Sequence, residues 1–201
     1  MELLRSLGRD TGFWSFVAVL TGLSLFFGVS AELQRQQLGR GGPEQSLKSG
    51  ILVTVAAILD GDELSVLDEA GKPFVVRILG IKAFESNSFE PGISSFGERA
   101  AEALRKKLSK AKVALLFPEF KQDTSKRVLS YVQLGNLDVG QELVAEGLTL
   151  AYTRYEFSKE AEYVSLQTQA RLSGKGLWGS QKATERAMAL ISSWEAARSD
   201  V

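Results

Sequence analysis

From residue 50 onward the chain runs apolar in short stretches divided by glycines, acids and lysines, and that pattern sets the order of elements. ILVTVAAIL (51–59), ELSVLD (63–68) and FVVRILGI (74–81) are β-branched and apolar, so they predict three strands. Glu69-Ala70-Gly71-Lys72 connects the second and third as a hairpin. AAEALRKKL places Ala100, Ala103, Leu104 and Lys107 at helical spacing. KVALLFPEF and VLSYVQLG predict two further strands, joined by a solvent-facing loop that carries Asp123 and Arg127. Residues 139–147 and 159–173 predict two more helices, the latter with Ala161, Val164, Leu166 and Ala170 partly on one face. Five strands with a helix after the third predict an α+β fold, a five-stranded OB-type β-barrel over residues 50–180 with helices packed beneath it.

The flanks differ from this domain. Residues 11–31 contain no charge over 21 positions, and a helix of that length reaches ~31 Å, enough to cross a bilayer core. With Arg5 and Arg9 before it, the stretch predicts a transmembrane signal anchor over residues 1–31; Val29-Ser30-Ala31 would serve as the cleavage site of a signal peptide instead. Positive charges on both sides leave the orientation open. Residues 32–49 are polar and glycine-rich towards their end, and predict a stalk. Residues 181–201 predict an extra amphipathic helix, with Ala187, Leu190, Ile191 and Trp194 at helical spacing. Its apolar stripe suits either packing back on the domain or docking to a partner.

Composition narrows the chemistry. There is no cysteine and no histidine, which excludes disulfides, thiol nucleophiles and imidazole-based metal or acid–base sites. Carboxylates, lysine, arginine and tyrosine remain, and oxygen-only ligation favours Ca²⁺ or Mg²⁺. Residues 50–180 carry 16 Lys and Arg against 17 Asp and Glu, so the domain has no net positive field to draw in a polyanion, and nucleic-acid binding is disfavoured. A local basic cluster, Arg105, Lys106, Lys107, Lys110 and Lys112, reads as a solvated helix end that suits the helix dipole.

Acids and an arginine gather between residues 60 and 85. Asp60-Gly61-Asp62 makes a tight turn with two carboxylates at its lip, Arg77 is the one charge in an apolar strand, and Glu85 follows just beyond. The series DGD, R-x-L-G-I, A-x-E and FGERAAEAL, followed by Asp123 to Arg127, VLSYVQLGNLDVGQELVAEGLTLAY and GKGLW at 174–178, resembles the staphylococcal nuclease (thermonuclease) family in order over residues 50–179. That resemblance implies a Ca²⁺-dependent phosphodiesterase site. Asp62 takes a metal-ligand position, Glu85 the water-positioning one, and Arg77 and Arg127 the two phosphate clamps. Tyr155, with Tyr152 nearby, lies where the family has base-contacting tyrosines.

The departures fall on the same site. Where the family has its second metal-binding aspartate this chain has Lys82, which turns a ligand into a like charge and works against Ca²⁺ twice. Phe84 replaces a proline, Glu63 a threonine, and the loop from Asp123 to Arg127 lacks the family's aromatic and glycine. Lys82 is expected to pair with Asp62 or Glu63, or, in an active enzyme, to contact phosphate; Arg77 would pair with Glu85, and Asp60 would cap its own turn. The expected function is therefore a membrane-anchored domain with a degenerate nuclease site and no cofactor, acting as an accessory subunit beside other membrane-protein subunits. The alternative is a Ca²⁺-dependent nuclease acting on DNA or RNA.

Overall fold

The computed structural model describes residues 47–88, 90 and 92–199, and the backbone alone at 118–120 and 199. The anchor expected at residues 11–31 and most of the stalk lie outside the described residues. Among the described residues no helix is long and apolar enough to cross a membrane.

Five strands close on one another. Their order is β3 (Pro73–Ile78), β2 (Glu63–Leu67), β1 (Ile51–Asp60), β5 (Lys112–Gln122) and β6 (Val128–Leu134), each antiparallel to its neighbour. β3 also pairs with β6 in parallel, Val76 opposite Val128 and Ile78 opposite Ser130, and this seam removes both free edges. Two register shifts in β1, between Val55 and Ala57 and between Ile58 and Asp60, coil the strand so that the sheet curls far enough to meet itself. Inward-facing Val53, Val55, Leu64, Val66, Val76 and Leu115 fill the barrel. Helix α1 (Ser94–Leu108) adds Leu104 and Leu108 to the same core. The expected barrel and its strand count are present.

FVVRILGI does not run on as one strand. It breaks after Ile78, and Ile81–Lys82 resumes as a two-residue strand, β4, that leaves the barrel to pair with β8 (Leu150–Ala151). Gly80 makes the break: its φ is +82°, and a Cβ there would stand 2.6 Å from the Phe157 ring. Lys82 is thereby carried off the barrel wall. Another two-residue strand, β7 (Leu137–Asp138), folds back antiparallel on the end of β6, and helices α2 (Val139–Ala145) and α3 (Glu160–Leu172) follow as expected.

After the 3-10 turn at Gly176–Gly179 comes α4 (Gln181–Ser199), the extra helix. Ala183, Ala187 and Trp194 are buried in a second apolar cluster with Phe84, Ile93, Leu150, Ala170, Leu177 and Trp178, and Leu190 and Ile191 pack against it. The Trp194 indole meets Tyr152 edge-on at 4.9 Å. Arg198 ties the far end of the helix to Glu160 (2.6 Å), Glu156 (3.1 Å) and the Thr153 carbonyl (3.3 Å). The predicted stripe is real, but it faces this domain. Of the two uses expected for it, packing back on the domain is the one its contacts show, with Met188 on the same helix left 36% exposed.

Candidate functional site

The parallel seam brings Arg77 of β3 opposite Leu129 of β6, close behind the loop that carries Arg127, so both guanidiniums arrive at one end of the barrel. The turn between β1 and β2 delivers Asp60 and Asp62 to the same end. Asp60 accepts from the Gly61 N–H at 2.9 Å, which caps its own turn as expected. Gly97, in the first turn of α1, presses on the segment after β4: a Cβ there would lie 2.3 Å from the Phe84 carbonyl oxygen. That close approach fixes Ala83, Phe84 and Glu85 along the rim.

Asp62 is the centre of the arrangement and is 1% exposed. Its two carboxylate oxygens accept from Arg77 at 3.0 and 3.4 Å, and Oδ2 also accepts from the Ala83 N–H at 2.9 Å. Lys82 Nζ stands 3.9 Å from the same oxygen. Arg77 is therefore paired with Asp62 and not with Glu85, which corrects one expectation. Burying one carboxylate among two cations and an N–H donor satisfies its acceptor sites and leaves no uncompensated charge. Together Arg77 and Lys82 supply the two positive charges that a calcium ion would bring.

A second network lies beside it. Arg127 donates from Nη1 to Glu63 at 2.5 Å and from Nε to Asp123 at 2.6 Å. Asp123 also accepts from the N–H groups of Ser125 (2.9 Å) and Arg127 (3.0 Å), closing the loop on itself. Of the two carboxylates expected as partners of Lys82, Asp62 is therefore the one it meets, and Glu63 is bound to Arg127. The loop is less open than its sequence suggests, with the Arg127 side chain 25% exposed.

Burial pushes the Asp123 carboxyl up, but the Arg127 guanidinium and the two N–H donors outweigh it and hold the group below its ordinary value of 3.8. The same ion pairs hold the Arg127 guanidinium above its ordinary range, against the effect of burial. A depressed carboxylate contributes stability that is present above the unfolded value and lost as pH falls through the folded one. Urea denaturation of Asp123→Asn is therefore expected to show a flatter loss of stability below about pH 4 than the parent protein.

The other expected site residues are dispersed. Glu85 is exposed, and its carboxylate makes no hydrogen bond or ion pair to a described residue. Tyr155 is 64% exposed, edge-on to Tyr152 at 5.9 Å and beneath the Arg154 guanidinium at 5.7 Å. It stands on the segment after β8, away from both arginine networks in its contacts. Phe84 is buried in the second cluster, so the residue that replaces the family's proline at the rim is a packing group for the helices.

A polar cluster that the sequence reading missed lies at the start of α2. Asp138 caps that helix through Gln141 N–H and accepts from Lys159 (2.6 Å) and the Tyr163 hydroxyl (2.9 Å). Lys159 also sits 4.7 Å from the centre of the Tyr131 ring. Burial, then Asp138, pushes the Tyr163 hydroxyl far above its ordinary range, so it remains a donor. An aspartate directly before a helical run was the available signal.

The donor set does not suit a resident Ca²⁺, which takes six to eight oxygens. Asp62 is saturated by protein cations, Glu63 is held by Arg127, and Asp60 caps a turn. Among the described residues no three acidic side chains stand together so as to hold a metal ion.

The sequence of this chain matches known proteins. The family model described as Staphylococcal nuclease homologue matches residues 75–180, just over half of the chain, and the chain belongs to that family. A thermonuclease of Staphylococcus hyicus is 27% identical over 165 residues, covering 80% of this chain and 97% of the relative. An uncharacterized endonuclease of Haemophilus influenzae is 28% identical over 131 residues, 65% and 68% of the two chains. A thermonuclease of Staphylococcus intermedius is 29% identical over 97 residues, 48% and 57%. Arg77, Lys82, Glu85, Arg127 and Tyr155 fall inside the family match, and Asp62 falls before it.

Proposed function

We propose that this chain is a membrane-tethered staphylococcal nuclease homologue that does not hydrolyse phosphodiesters and serves as an accessory subunit of a membrane complex. The observation that carries the reading is the engagement of Asp62 by Arg77, Lys82 and the Ala83 N–H, which leaves neither a metal ligand nor a free phosphate clamp. Arg127, tied to Glu63 and Asp123, is spoken for in the same way. A binding domain needs the barrel and not the ion. The uncharged stretch at residues 11–31 supports a tether, and the balanced charge of residues 50–180 argues against a domain that collects nucleic acid.

The second reading is a Ca²⁺-dependent nuclease. The names of the Staphylococcus and Haemophilus relatives favour it, as do the retained Arg77, Glu85 and Arg127. One assay separates the two. The full chain in mild detergent, given single-stranded DNA or RNA and millimolar Ca²⁺, is expected to cleave no faster than its Arg77→Ala variant. Cleavage clearly above that control establishes the nuclease. Isolation in the same detergent is expected to bring other subunits in fixed ratio, and a lone monomer would count against the accessory role.

A further inference from the structure

We infer that the outer face formed by the start of β1, the start of β5 and the end of α1 rests on an anionic bilayer surface. This rests on the tethered reading above and names the orientation that the tether imposes.

Val53 and Val55 point into the barrel, so Leu52 and Thr54 point out, and the register sets Leu52 opposite Ala114 and Thr54 opposite Lys112. Leu52 is 54% exposed, a large apolar side chain on an open strand face. Ala56, Ala57 and Ile58 continue the strip as one wall of a shallow depression against Arg105 and Ser109 of the α1 end. Lys48, Lys106, Lys110 and Lys112 are exposed around it. Of the carboxylates near it, Glu98 holds Arg105 at 2.8 Å, Asp60 caps its own turn and Glu102 is exposed on α1, while Lys48, Lys106, Lys110 and Lys112 make no ion pair to a described residue, so positive charge is in surplus.

Lys110 carries a further sign. It lies just past the end of α1 with φ +57°, a left-handed position that glycine would occupy without strain. A lysine is held there at a conformational penalty.

The occupant follows from chemistry and from where the chain enters. Lysines are depleted in protein–protein contacts, and one exposed leucine falls short of a stable protein interface, whereas lysine stems around an apolar side chain suit a headgroup layer. The chain joins the barrel beside this face, at the edge of β5: Gly50 N–H donates to the Leu115 carbonyl at 2.7 Å, and the Ser49 hydroxyl accepts from Phe117 N–H at 3.0 Å. Residues 32–46 span at most ~50 Å when extended, so the tether holds the face at high local concentration near its membrane.

The absence of cysteine makes the test direct. Leu52→Cys carries an environment-sensitive fluorophore in the full chain, reconstituted into neutral phosphatidylcholine vesicles or vesicles with added phosphatidylserine. Leu172→Cys, 80% exposed on α3, is the comparison site. Emission from position 52 is expected to shift blue and to be quenched by lipid-borne quenchers in the anionic vesicles only, while position 172 stays in water. Lys112→Gln and Lys110→Gly should each lower the membrane-bound fraction of position 52 about fivefold. Lys110→Gly also relieves the left-handed strain, so its effect cannot come from unfolding. Protein that floats with the vesicles while position 52 stays in water overturns the orientation alone and leaves the face to a protein partner. Protein that floats with neither kind of vesicle overturns the tether and the orientation together.

Discussion

Lys82→Asp is expected to raise Ca²⁺ affinity by about two orders of magnitude, read by isothermal titration of the full chain in detergent. At 3.9 Å, the ammonium disfavours any cation beside Asp62. A unit charge at that range is worth ~4 kcal/mol at an effective dielectric near 20, and partial exposure of Lys82 reduces it. Half that value already corresponds to more than tenfold in binding. The substitution also adds a carboxylate where the family carries one. Unchanged affinity would show that position 82 does not stand at the ion's edge. Cleavage of single-stranded DNA by Lys82→Asp with none by the parent would tie that difference to this residue.

Asp62→Ala should be the most destabilising of the substitutions named here, by about 3–5 kcal/mol, because it leaves the Arg77 guanidinium in a nearly closed site with no counter-charge. The Asp62 side chain is 2% exposed and that of Arg77 14%, so water reaches neither freely. The Ala83 N–H is orphaned as well. For a domain of this size the melting temperature should fall by roughly 10 °C. Replacing both partners at once, Asp62→Leu with Arg77→Met, is expected to recover most of the loss, since an apolar pair needs no compensation. A single-variant loss below about 1 kcal/mol would mean the pair is solvated and carries little of the fold.

The barrel was readable because its strands are continuous β-branched runs with turn residues between them, and because α1 shows clean helical spacing. The two-residue strands β4, β7 and β8 were not: Ile81–Lys82 continues the apolar run of β3, and only the ring of Phe157, 77 residues after Gly80, reveals where the chain must turn. At the site, Asp62, Arg77, Lys82 and Arg127 were all picked out and the expected pairing of Lys82 with Asp62 is present, but Arg77, expected on Glu85, meets Asp62, and Glu63 meets Arg127. Which carboxylate an arginine meets depends on the barrel's closure and on the close approach of Gly97 to the rim, and neither is a property of neighbours along the chain. The stripe on α4 was legible as a stripe, but periodicity alone does not say what lies against it.

The second apolar cluster has a consequence for the order in which this domain assembles during synthesis. The seam between β3 and β6 uses no strand residue beyond Leu134, so the strands can pair while residues 135–194 are still to be made, although the core they enclose still awaits Val139, Leu143, Val144 and Tyr163. Phe84, already translated and flanking Lys82 and Ala83, waits for Trp178 and Trp194 before its own cluster is complete. During that interval the rim beside Asp62 exposes an aromatic side chain. A nascent chain stalled between β6 and α4 would therefore be a better chaperone client than one stalled after Trp194.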